Sequence, residues 1–262
     1  MGNLGALKRN GNLKLGGIEA LSFDLFDTLV DQDFGRMRFV ELDGKRIPET
    51  GLQMFDRLSA QHEVGMDRFF EVLQEVDRDL REPRFAEGRE LPTQERFEEV
   101  LRRVGHPDPI LASELTEIHM RGVESCTAYC EHHREIIERL RSKRPIALCS
   151  NFSHSPTALK VLEQSGLRPH FDVVIVSDAV DSRKPFRPIF EAVLEGLGVA
   201  PEHVLHVGDR LRADVTGPSA LGMRTAWITR RVKDREATLA EHEGPTPDLE
   251  IEDLSELEAL LD

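Results

Sequence analysis

Short apolar runs alternate with segments of helical periodicity along most of this chain, and the alternation changes character twice. Ile18 to Phe23 is an apolar-rich run of strand length that delivers Asp24 just past its end. After Val30 the pattern shifts. Val40 and Leu42 alternate before Asp43-Gly44, with Ile47 beyond, which predicts a small hairpin closed by a tight turn. Helical spacing then takes over, through Phe55 and Leu58, then Phe69, Phe70, Leu73 and Val76, then Phe97, Val100, Leu101 and Val104, then Leu111, Leu115 and Ile118. Asp108-Pro109 reads as the cap and first-turn pair of the last helix. This stripe of aromatic and aliphatic residues reads as bundle core rather than a cofactor pocket.

From about Ile136 strands and helices alternate. The pattern predicts a helix ending near Arg144, a strand over Ile146 to Cys149, a helix after Pro156 and a strand over Val173 to Val176. It continues with a helix from about Pro188 to near Gly198, a strand over Val204 to Val207, and a helix to about Leu221 with Gly222 beyond. A strand over Thr225 to Ile228 and a terminal Leu-rich helix complete it. Apolar strands separated by crossover helices imply a parallel sheet buried on both faces. The expected fold is therefore α/β: a doubly wound, Rossmann-like core over residues 14–31 and 136–262, interrupted by an all-helical insert over residues 32–135.

Composition supports a globular chain. Of its 262 residues, 39% are hydrophobic and 31% charged, enough to fill a core inside a solvated surface. Subtracting 48 acidic from 34 basic residues gives a net charge of −14, a field that repels nucleic acid and anionic membranes. Neither nucleic acid nor a membrane is an expected partner. Three cysteines, Cys126, Cys130 and Cys149, are too few for a disulfide framework, although the first two could share a helical face. No run approaches the roughly 18 apolar residues needed to cross a bilayer, and the N-terminal stretch lacks the features of a secretion or myristoylation signal. A cytoplasmic protein is expected, and oligomeric state is not legible.

Ligands of open parallel sheets collect at the carboxyl ends of the strands, and four such ends carry chemistry. Asp24 follows the first, with Phe26, Asp27 and Thr28 in the turn after it. Ser150 and Asn151 follow the second. Lys184-Pro185 comes later, and Gly208-Asp209 is followed by Asp214. Close carboxylates repel one another unless a cation intervenes, and oxygen ligands suit Mg²⁺.

In this order the motifs resemble the haloacid dehalogenase superfamily, and the insert is similar to its helical C1-type cap. The resemblance implies Asp24 as nucleophile, with Ser150 and Lys184 in contact with it or with phosphoryl oxygens. It implies a Mg²⁺ site built from Asp24, the backbone carbonyl of Phe26, Asp209 and Asp214. Thr28 and Asn151 join Ser150 and Lys184 as expected substrate contacts. The implied activity is Mg²⁺-dependent hydrolysis of a small phosphorylated metabolite through an aspartyl-phosphate.

Phosphatases of the superfamily carry a second Asp two positions after the nucleophile, where this chain has Phe26. Asp27 is adjacent, but neighbouring side chains of an extended segment point in different directions. Slow turnover is therefore expected, or an acid supplied by the cap. An aromatic residue there is also similar to the metal-independent 2-haloacid dehalogenases, although the Asp209 and Asp214 pair has no purpose in a metal-free displacement. A phosphate- and Mg²⁺-binding regulatory protein with impaired catalysis is the third reading. His132 and His133 lack zinc-peptidase spacing and read as a solvated helix start. His154 is a candidate substrate contact from a cap-facing loop. Of Arg183, Arg187, Arg210 and Arg212, most should be surface charges, with one available for a substrate anion.

Overall fold

The computed structural model describes residues 15–42 and 44–261. The expected turn residue Asp43, the N-terminal stretch before residue 15 and the outer limits of the core at residues 14 and 262 lie outside them. The chain opens with β1 (Ala20–Phe23), whose four residues are all buried. β2 (Val30–Gln32) follows the turn after Asp24, and β3 (Phe39–Leu42) pairs antiparallel with β4 (Lys45–Pro48) as the predicted hairpin.

Five helices come next: α1 (Glu49–Ser59), α2 (Met66–Val76), α3 (Glu82–Ala86), α4 (Thr93–Arg103) and α5 (Pro109–Ser125), with a π-helical turn over Asp77–Arg81. The inward faces of α1, α2, α4 and α5 form one apolar cluster that includes Phe69, Phe97, Leu101, Leu111 and Leu115. Most periodic positions of the sequence are buried in it, and Phe55, Phe70 and Val104 pack against it half-buried. β5 (Thr127–Tyr129) returns the chain by pairing antiparallel with β2. That two-stranded link separates Cys126 from Cys130, which end one helix and begin the next. The shared helical face expected for them does not exist.

The remaining chain alternates. It runs through α6 (Glu131–Arg141), β6 (Ile146–Ser150), α7 (Ser155–Gln164), β7 (Val173–Val176), α8 (Ser177–Val180) and α9 (Arg187–Leu197). β8 (Val204–Gly208), a π-helical turn over Leu211–Thr216, α10 (Gly217–Ser219), β9 (Arg224–Ile228), α11 (Arg235–Ala240), β10 (Leu249–Ile251) and α12 (Glu256–Leu260) finish it. Six strands form one parallel sheet in the order β10-β9-β8-β1-β6-β7. Period-two alternation sorts their side chains between two cores. Leu21, Phe23, Leu148, Leu205 and Val207 join the larger cluster, while Ala20, Ala147, Cys149 and Val204 join Phe190 and Val193 in the smaller.

The strand order reverses at β1, which has β8 on one side and β6 on the other. Such a reversal opens a crevice beyond the strand ends, and Asp24 stands at it. Beside this crevice the helical insert leans on the core. Glu90, 1% exposed, accepts from Ser177 Oγ at 2.6 Å, and the Arg183 amide donates to Gly88 O at 2.9 Å. No helix among the described residues is long and apolar enough to cross a membrane.

Candidate active site

The turn after β1 is built by the backbone. Leu29 and Val30 both donate to Leu25 O, at 2.9 and 3.0 Å, and the Asp24 amide donates to Val207 O of the neighbouring strand at 2.9 Å. Asp24 is thereby fixed at the mouth of the sheet. Lys184 Nζ lies 2.8 Å from Asp24 Oδ1 and 2.6 Å from Asp214 Oδ1. Asp214 Oδ1 also meets His206 Nε2 at 3.1 Å, and Asp214 Oδ2 accepts the Arg210 amide at 2.9 Å. The Nδ1 of His206 is 2.9 Å from Ser22 Oγ, its partner across the β1–β8 register. A buried polar chain thus runs from Ser22 through His206, Asp214 and Lys184 to Asp24.

Charges in this chain shift one another. Burial raises the Asp24 carboxyl above its ordinary range, Lys184 pulls it down, and Asp214 adds to the rise. Burial acts the same way on Asp214, but Lys184 and His206 hold it well below the carboxylate range. Burial opposes the Lys184 charge, yet Asp214 and Asp24 keep its ammonium above the usual lysine range. Asp209 has only the weaker pull of Arg210. Burial, with Asp24 and Asp214 nearby, pushes it up to about 8.

Asp24, Asp209 and Asp214 each bring one carboxylate oxygen within 4.8 Å of the others. Asp209 Oδ1 is buried without a hydrogen-bond partner among the described residues. Gly208 makes the packing possible, because a Cβ there would sit 2.2 Å from the Asp214 carboxyl carbon. Hard oxygen donors, an orphaned carboxylate oxygen and excess negative charge fit a divalent cation such as Mg²⁺.

A small cleft of about 120 Å³ opens onto the group. Asp24, Lys184, Asn151 and Asp214 line it, as do Phe26, Arg210 and three residues not singled out from sequence: Gln32, Phe152 and Ala213. Arg210 is the one member of the arginine set that reaches it; Arg183 pairs with Glu90 and Arg187 with Glu191. Thr28, Ser150 and Asp209 lie outside that lining. Thr28 Oγ1 and Ser150 Oγ are buried without partners among the described residues. Asn151 spends both ends of its amide on the Lys184 backbone, donating to its O at 2.9 Å and accepting from its N at 2.7 Å. His154 turns instead to Thr157 Oγ1, 2.8 Å away.

Asp27 faces elsewhere. Its backbone is left-handed, with φ of 58°, and Oδ1 accepts from Gln32 N at 3.0 Å and faces Arg231 Nε at 3.4 Å. Phe26 packs its ring 4.9 Å from that of Phe152. His206 was missed from sequence, and its signal is plain in retrospect. A histidine inside an otherwise apolar strand is a buried polar group that requires a partner.

The sequence pattern of haloacid dehalogenase-like hydrolases matches residues 18–222. The chain belongs to that family. It is a hydrolase, and its kinship by sequence is to phosphatases. A phosphoserine phosphatase of Thermus thermophilus is 34% identical over 169 residues, covering 63% of this chain and 64% of that one. A glyceraldehyde 3-phosphate phosphatase of Methanopyrus kandleri is 30% identical over 246 residues, 92% of this chain and 95% of the relative. Among solved structures, a 2-haloacid dehalogenase of Pseudomonas syringae superposes with a TM-score of 0.67 at 21% identity, covering 93% of this chain and 97% of that one. The magnesium-bound hydrolase YfnB of Bacillus subtilis superposes with a TM-score of 0.59 at 23% identity, covering 94% and 99%. At those identities the structures speak for the fold.

Proposed function

We propose that this chain is a Mg²⁺-dependent phosphomonoester hydrolase of small phosphorylated metabolites, working through an aspartyl-phosphate on Asp24. The observation that carries the reading is the acidic trio of Asp24, Asp209 and Asp214 at the strand-order reversal, with Lys184 already spanning two of them. Asp24, Asp209 and the Phe26 carbonyl would hold the ion directly. Asp214, whose oxygens already serve Lys184, His206 and Arg210, would stand beside it. Bound there, Mg²⁺ supplies charge that offsets repulsion between carboxylate and phosphoryl oxygens.

Asp24 attacks phosphorus in line, the ester P–O bond breaks, and the leaving oxygen departs with the electron pair. Lys184 orients the attacking carboxylate. Water then adds to phosphorus, the P–O bond to Asp24 breaks, and phosphate leaves as the carboxylate is restored. With Phe26 in the acid's position and Asp27 turned away, both steps lack about 10² to 10⁴ of general acid–base help. Good leaving groups are therefore preferred. In this reading residues 14–31 and 136–262 are the core and residues 32–135 a C1-type cap whose closure excludes water. The enzyme works in the cytoplasm, in keeping with three cysteines that form no disulfide.

One observation favours metal-independent dehalogenation of a 2-haloacid instead: Phe26 and Phe152 give the cleft an apolar wall. The decisive experiment compares phosphate release from an activated aryl phosphate with halide release from a 2-haloacid, each with Mg²⁺ and with chelator. Phosphate release that chelator abolishes is expected. Halide release that survives chelation contradicts the phosphatase, and binding of Mg²⁺ and phosphate without either product identifies the regulatory protein.

A further inference from the structure

A second group of metal-ligating side chains stands apart from Asp24, where the chain re-enters the core. His132 and His133 open α6, and Asp253 follows β10. His132 Nε2 lies 2.9 Å and His133 Nε2 3.5 Å from the same oxygen, Asp253 Oδ2. One ligand atom from each residue falls within 4.8 Å of the others. The solvated helix start expected here is half right. His132 is exposed, but His133 is fully buried.

The burial of His133 fixes its chemistry. Its Nδ1 is 2.9 Å from Leu29 O, and a carbonyl only accepts, so Nδ1 carries the hydrogen. In the neutral ring Nε2 is then a bare lone pair. That atom is buried without a hydrogen-bond partner among the described residues, and it faces a carboxylate that offers only lone pairs of its own. Two acceptors turned toward each other leave room for a cation between them.

We propose that His132, His133 and Asp253 bind a divalent transition-metal ion of the class that takes imidazole and carboxylate ligands, Zn²⁺ or a close neighbour. At Zn–N distances of about 2.0–2.1 Å, ligand atoms around a tetrahedron sit about 3.3 Å apart. The observed 2.9 and 3.5 Å bracket that value. Donation from the remote ring nitrogen to a backbone carbonyl is the arrangement that sets the tautomer of a ligating histidine. Arg230, the cation that would oppose the ion, is engaged by both carboxylate oxygens of Asp31. The donor set separates this site from the all-oxygen group at Asp24. An ion here ties the start of α6 to the loop after β10 and, through Leu29, to the turn that carries Asp24. Nothing in this assignment depends on which reaction Asp24 performs.

The test uses the full chain, stripped with chelator, held in excess Mg²⁺ and titrated with Co²⁺ while visible d–d absorption is recorded. Binding of one Co²⁺, displaced by added Zn²⁺ and accompanied by a higher melting temperature, is expected. His132→Ala and Asp253→Asn should each weaken Co²⁺ binding by at least about tenfold. Both should leave the Mg²⁺-supported activity unchanged. Asp253→Asn keeps the oxygen that caps Ser255 N at 3.0 Å, so its loss of binding is not loss of fold. Asp24→Asn should bind Co²⁺ as the parent does. Absence of the absorption, or binding that vanishes in Asp24→Asn and persists in the other two variants, overturns the site.

Discussion

Lys184 shows how much one residue can organise here. Its ammonium is buried between two carboxylates, and its backbone is clasped by Asn151. The position two residues after Asp24 shapes the chemistry as strongly. Phe26→Asp should raise turnover of substrates with poor leaving groups by up to about 10² in steady-state assays, because it restores a proton donor at the cleft. Asp24→Asn should abolish turnover while leaving the circular dichroism spectrum unchanged. Unaltered activity in Asp24→Asn would mean another nucleophile. The grouping of Asp24, Lys184, Asp209 and Asp214 was legible from the order of motifs that resembles the superfamily, and the structure brings the four side chains together. Gln32 and Phe152 were not legible, because a single side chain in a short strand or loop gives no hint of what it will face, and His206 signals only that some partner must exist. Ser22 opposite His206 is a fact of pairing, not of spacing along the chain.

At the scale of elements, hydrophobic period carried most of the fold. The predicted strands over Val173 to Val176 and Val204 to Val207 match β7 and β8 to within a residue. The helix begun by Asp108 starts as expected, since Asp108 Oδ1 accepts from Ile110 N at 2.9 Å and Leu111 N at 3.1 Å. Asp108→Ala should therefore cost about 1 kcal/mol in denaturant unfolding, and no cost would mean that tertiary packing alone sets this helix end. What escaped the reading was short. β2 and β5 have three residues each and pair with partners distant in sequence, so neither contains a full alternating pattern. α11 and β10 are similarly brief, and the pattern between β9 and the terminal Leu-rich helix marks neither of them.

The whole molecule joins a sheet-based core to a helical insert, and its acid stability should report on the insert. His119 packs edge-on to Phe97 at 5.8 Å, and burial pushes its imidazole down to about 4. The unfolded chain, with an ordinary histidine value of 6.5, binds a proton more readily between those limits. Stability should thus be full above pH 6.5 and fall as pH drops toward 4, and His119→Gln should flatten that window in urea unfolding measured at pH 7 and pH 5. An unchanged slope would place the acid sensitivity elsewhere. The central claim concerns a meeting of distant segments: β1 supplies a nucleophile, and the segments after β7 and β8 surround it with charge. Because Phe26 offers no base to activate water, the covalent intermediate should build up during turnover. The most direct measurement is therefore acid quenching of the enzyme with Mg²⁺ and an aryl phosphate, followed by peptide mass spectrometry. A hydroxylamine-labile phosphoryl group on Asp24 is the predicted result, and a phosphoryl group on any other residue, or turnover with Asp24 never modified, would contradict the account.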